Sequence, residues 1–178
     1  MFKGILRTVL LSSLIPLSSS LVSGCGPFWV DPYITVKESQ LNWVEIHYYN
    51  LNRKPTRRIS VYINGAGHVE LKKGTSQLVS NDFAKKYQEE DWADIKTQRA
   101  EVDPKHVNDI FQNLVNYGVL DREKTMKSSR KEKQNRFIAV KANLSNNTYS
   151  DNVNIFEEDP DLADQLLDVV REFEQPSL

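Results

Sequence analysis

Cysteine occurs once in this 178-residue sequence, at Cys25, so no intrachain disulfide can staple the fold and packing must stabilise it. Histidine occurs three times, as His47, His68 and His106. No two of them have HxH, HxxxH or HExxH spacing, so no metal site is expected. GxSxG is missing, which leaves nucleophilic catalysis without that local signature. The acids Glu89, Glu90, Asp91 and Asp94 do not form the DxDxDG loop that organises calcium, and read as a solvated turn. A basic excess is missing as well: the formal net charge is −1, which gives no reason to expect nucleic acid as a partner. Finally, the longest apolar run, residues 8–22, falls short of the roughly 20 residues that span a bilayer. No catalytic constellation and no cofactor are expected.

What is present begins at the N-terminus. Lys3 and Arg7, with no acid near them, make a positively charged leader for the apolar run that follows. Length and flanks fit a signal-peptide core. The run ends in Leu21-Val22-Ser23-Gly24-Cys25, an apolar residue and small residues before a cysteine. This segment resembles the lipobox of bacterial lipoproteins. The resemblance implies a signal peptide over residues 1–24, cleavage between Gly24 and Cys25, and acyl chains on the Cys25 thiol. One short chain binds a membrane only marginally, whereas the family's several chains anchor stably. It also implies a place in the bacterial cell envelope, on the outer side of the cytoplasmic membrane or in the outer membrane. Gly26, where an Asp would signal inner-membrane retention, points to the outer membrane if the source has one. Cleavage removes two basic residues and no acid, so the remaining chain is more acidic.

Residues 25–42 read as the lipidated cysteine and a tether broken by Pro27 and Pro32, and residues 43–178 as one α+β domain. Trp43–Tyr49 alternates apolar and polar residues, the period of a strand. Arg57–Ile63 and Val69–Leu71 flank Asn64-Gly65-Ala66-Gly67 and predict a hairpin ended by Gly74. Trp92–Val102 predicts a charged edge strand. Asp103-Pro104 is an N-cap followed by proline at the first helical position, ahead of the stripe Val107, Ile110, Phe111, Leu114 and Val115, and Gly118 stops the helix. Phe137–Leu144 and Tyr149–Phe156 predict a second hairpin. Asp159-Pro160 opens a second helix with Leu162, Leu166, Leu167, Val169, Val170 and Phe173 on one face. The expected architecture is an antiparallel sheet of about five strands with two helices on one face, in the order strand, hairpin, helix, hairpin, helix. Over roughly residues 57–174 the hairpin–helix order is similar to that of uncharacterised exported bacterial lipoprotein domains; the likeness is one of pattern and transfers no functional residue.

Two features can meet a partner. Arg122–Arg136 holds seven basic residues against two acids and reads as a loop; Lys124, Lys127, Arg130, Lys131 and Lys133 are its candidates for binding an anionic surface or polymer. The other is the polar side of the sheet, which carries Glu45, His47, Tyr49, Tyr62 and His68, with the histidines read as surface residues. Together with the membrane reached through Cys25, these suggest a non-catalytic envelope module that binds an envelope protein or anionic polymer. An envelope hydrolase with a site built from residues distant in sequence is the alternative.

Overall fold

A computed structural model of the protein describes residues 34–76, 92–120, 135–150 and 154–175. Cys25, Gly24 and the basic residues Lys124, Lys127, Arg130, Lys131 and Lys133 lie outside them. The described strands are β1 (Trp43–Asn50), β2 (Thr56–Asn64), β3 (His68–Ser76), β4 (Ala93–Glu101), β5 (Arg136–Leu144) and β6 (Asn147–Ser150). They form one open antiparallel sheet in the order β4-β3-β2-β1-β5-β6. The helices are α1 (Pro104–Asn116), α2 (Ile155–Glu158) and α3 (Pro160–Glu174). The fold class is α+β.

Side chains alternate across a strand, so the register decides which residues share a face. Ile46 lies opposite Val61 and Val140, Val44 opposite Ile63 and Ala142, and Val61 opposite Leu71. These rows bury one face against the apolar stripes of α1 and α3 in a single core that includes Phe111, Leu114, Leu166 and Val170. Each such aliphatic side chain contributes about 1.5–3 kcal/mol when fully buried. Arg57 and Lys73 occupy the same face at the far end of β2 and β3. There Arg57 pairs with the Glu174 carboxylate, and Lys73 Nζ donates to the Glu174 carbonyl at 3.1 Å, placing two cations at the C-terminus of α3, where the helix dipole favours them. Burial first, and the neighbouring Arg57 second, pull the Lys73 ammonium below its ordinary range.

Both Asp-Pro starts behave as their chemistry requires. The Asp103 side chain accepts from Lys105 N–H at 2.9 Å and that of Asp159 from Leu162 N–H at 3.1 Å. Helix α1 ends on Gly118 at φ +88°, with Gly118 N–H donating to Val115 and Val119 N–H to Leu114, a Schellman closure that also buries Val119.

Three details depart from the sequence reading. The sheet has six strands, with β4 at one edge and β6 at the other. Gly74 does not end β3; it sits at an irregularity in the β3–β4 ladder, and β3 runs on to Ser76. Tyr149–Phe156 is not one strand, because β6 stops at Ser150 and Ile155-Phe156 begin α2. Adjacent strand residues point to opposite faces, so a strand would expose one of these two apolar side chains. One helical turn buries both.

The chain is already part of the packed unit at Ile34. Val36 is buried, its N–H donates to Gln112 Oε1 at 2.8 Å, and Gln112 Nε2 returns a bond to the Ile34 carbonyl at 3.0 Å. Asn42 then ties two turns to this segment. Its side chain donates to the Lys37 carbonyl at 2.8 Å and accepts from Ser145 N–H at 2.9 Å, while its carbonyl accepts from Gly65 N–H at 2.8 Å. Gly65 is required by space, since a Cβ there would sit 1.9 Å from the Ser39 carbonyl oxygen.

Candidate functional site: the sheet face away from the helices

The register that buries the apolar rows sets the intervening residues on the opposite face. Glu45 lies between Tyr62 and Lys141, His47 between Ser60 and Ala139, and Tyr49 between Arg58 and Phe137. On β3, Glu70 is opposite Tyr62 and Lys72 opposite Ser60; on β4, Arg99 is opposite Glu70 and Glu101 opposite His68. The five polar-face residues named from the sequence, Glu45, His47, Tyr49, Tyr62 and His68, therefore do share one face.

That face has two halves. Around Tyr49, Phe137 and Ala139 it is buried. Tyr49 meets Phe137 edge to face at 5.7 Å, and the fully buried Arg58 guanidinium lies 5.2 Å from the Tyr49 ring and 4.0 Å from that of Trp92. Gly74, opposite Arg58, leaves room for this stack: a Cβ there would come within 2.6 Å of the Ala93 carbonyl oxygen and 3.1 Å of the Trp92 ring. His47 belongs to the buried half too, at 4% exposure, so the expectation of a surface histidine fails for it. Strand alternation identifies a face, but it does not say whether that face meets water. His47 Nε2 is 3.1 Å from Glu45 Oε1. Burial pushes the imidazole below its ordinary range, and the His47 contact is the largest influence holding the Glu45 carboxyl below its own.

The second half is accessible. Trp43 and Tyr62 stack diagonally across β1 and β2 with centroids 6.2 Å apart and planes 29° from parallel, and Tyr62 remains 37% exposed. Glu70 pairs with Arg99 at 2.8 Å and with Lys72 at 3.2 Å; Arg99 first, then Lys72 holds its carboxyl below the ordinary range. His68 Nδ1 contacts Glu101 Oε1 at 2.5 Å. Tyr62, His68, Glu70, Arg99 and Glu101 line a shallow groove of about 410 Å³. A recess of about 310 Å³ shares Glu70 and Arg99 with it.

His106, in the first turn of α1, contacts Glu172 at 2.6 Å, so each histidine stands against a glutamate. Among the described residues no group of three His, Cys, Asp or Glu side chains is placed to hold a metal ion, and no helix is long and apolar enough to cross a membrane. Of the acids Glu89, Glu90, Asp91 and Asp94, only Asp94 is among the described residues; it lies in β4 at φ +55°. Sequence reasoning missed Trp43, Arg58, Glu70, Trp92 and Arg99. Pleat alternation held the signal for Trp43, Arg58 and Glu70, but the partnership of Arg58 with Trp92 exists only through tertiary contact. No family model matches this sequence, and no curated protein is significantly similar to it.

Proposed function

We propose that the protein is a bacterial envelope lipoprotein, cleaved between Gly24 and Cys25 and anchored through acyl chains on Cys25, whose domain works as a non-catalytic binding module. The anchor rests on the order of basic leader, apolar run and lipobox. The binding role rests on one observation: the accessible half of the sheet face is a shallow polar surface, with Tyr62 standing among Glu70, Arg99, His68 and Glu101. Arg99 pairs with Glu70 across β4 and β3 and His68 contacts Glu101, so hydrogen-bond donors and acceptors stand side by side for a ligand laid across the strands.

The hydrolase reading has its own observation, His68 against Glu101 in that groove. It ranks second because the two side chains are 60% and 73% exposed. A base acting in open water lacks the desolvated, preorganised setting that gives catalysis most of its power.

Metabolic labelling with a palmitate analogue, followed by in-cell crosslinking and affinity capture, tests both parts. Label on the wild-type chain and none on Cys25→Ala is the expected result. Equal labelling of the two would overturn the anchor. A specific envelope component captured only with the anchored chain supports the module, whereas turnover of an envelope substrate lost in His68→Ala would replace it with the hydrolase.

A further inference from the structure

We propose that the accessible half of the sheet face binds a neutral oligosaccharide, with Tyr62 and Trp43 as its stacking platform and Glu45, Glu70 and Arg99 as its hydroxyl-binding groups. This inference rests on the binding-module reading and names the ligand class of that same surface.

The geometry comes from the register. Glu45, Tyr62, Glu70 and Arg99 are successive cross-strand neighbours on β1, β2, β3 and β4. Adjacent strands lie about 4.8 Å apart, so this row spans roughly 14 Å, about the length of a trisaccharide. In its middle stands an aromatic ring that is neither buried nor isolated: Tyr62 is 37% exposed and its ring is backed by Trp43. A stacked ring offers a flat apolar surface to the C–H face of a pyranose, and the tyrosine hydroxyl keeps a polar end in water. On either side of it are carboxylates, and beyond Glu70 is a guanidinium, groups that accept from and donate to sugar hydroxyls. Glu70 accepts from Arg99 at 2.8 Å and pairs with Lys72 at 3.2 Å, and exposed pairs of this kind, at about 0–1 kcal/mol, exchange readily for bonds to sugar hydroxyls.

Charge decides against a polyanion at this place. Glu45, Glu70 and Glu101 are interleaved with Lys72, Arg99 and Lys141, so the described residues of this half of the face carry no basic excess to neutralise phosphates. A ligand that is itself neutral, and both donates and accepts, matches a surface of this kind. A protein partner is matched less well, because among the described residues the large exposed apolar side chains, Leu41, Tyr62, Ile95 and Tyr117, come from four separate places in the sequence and only Tyr62 lines the groove. The groove volume of about 410 Å³ lies within the range of small-ligand sites.

The test is titration of the purified full chain with chitotetraose, maltohexaose and cellohexaose, with polyphosphate as the anionic comparison, read by tryptophan fluorescence and calorimetry. Saturable binding of at least one neutral sugar is expected at millimolar or lower concentration. Tyr62→Ala and Arg99→Ala should each weaken it by about tenfold or more, with unchanged circular dichroism. Both side chains are exposed, so the variants keep the core intact. No saturable binding of any of the three sugars, or equal binding by wild type and both variants, overturns the proposal. So does binding of polyphosphate alone. These outcomes are independent of acyl labelling and of protein capture, so the module reading stands or falls separately.

Discussion

The guanidinium of Arg58 lies 4.0 Å from the centre of the Trp92 ring, over a position where β3 carries Gly74. Arg58 is fully buried and also faces the Tyr49 ring at 5.2 Å. A charge removed from water needs compensation, and two aromatic faces supply part of it, at about 2 kcal/mol each when desolvated. Arg58 also carries β4 into the fold, because Trp92 immediately precedes that strand.

Trp92→Ala should therefore destabilise the protein by about 2–3 kcal/mol, with Trp92→Phe costing less because it keeps a ring under the guanidinium. Equilibrium unfolding in urea measures this. Equal loss in both variants would show that indole packing, and not the aromatic face, is what Arg58 requires.

Asn42 predicts a second loss. Removing its side chain leaves the Lys37 carbonyl and Ser145 N–H without their partners, at about 1–3 kcal/mol for a buried group so orphaned. Asn42→Ala should lower the unfolding midpoint, and Asn42→Asp should fall between it and wild type, since it keeps the acceptor for Ser145 and loses the donor. An Asp variant no better than Ala would contradict this division of labour.

Gly65→Ala meets backbone, not a yielding side chain: its Cβ would sit 1.9 Å from the Ser39 carbonyl oxygen. Residues 39–42 must shift away from the β2–β3 turn. A destabilisation of about 1–3 kcal/mol is expected, with amide exchange accelerated at Asn42 and at residue 65, whose bond closes this contact. Unchanged exchange there would show that the segment accommodates the methyl group.

Acid should weaken the fold through the Glu45–His47 pair. The unfolded histidine takes a proton as pH falls through its ordinary 6.5, whereas buried His47 resists it, so stability declines from there down to the lower folded value. Glu45 is depressed from its ordinary 4.5; its contribution is complete above that value and is lost as pH falls through its folded one. Both effects have the same sign. Urea midpoints at about pH 7.5 and about pH 5 should show a drop in wild type that is smaller in His47→Gln, whatever that variant's stability at neutral pH. An equal drop in the two would place the acid sensitivity elsewhere.

Much of the architecture was legible from local chemistry. Alternation in Trp43–Tyr49 and Arg57–Ile63 specified strands and their apolar face, and Asp103-Pro104 and Asp159-Pro160 specified helix starts, because cap and pleat act over a few residues. Ile155-Phe156 was misread because a short apolar run fits a strand or a helical turn equally, and only the space beside β5 selects between them. Less of the candidate site was visible. Glu45, Tyr62 and His68 were placed on their face by period alone, while Arg99 became part of it only once β4 paired with β3.

By itself, then, the sequence determined most of the elements, their apolar faces and a leader that resembles a lipoprotein signal, all properties written in neighbouring residues. Tertiary structure decided which half of the polar face is buried with Arg58, Tyr49 and His47, and which half stays open around Tyr62. It also decided that Asn42 joins two turns. The reason is physical: burial and hydrogen-bond satisfaction depend on what strand pairing brings alongside a residue, and those neighbours come from distant parts of the chain.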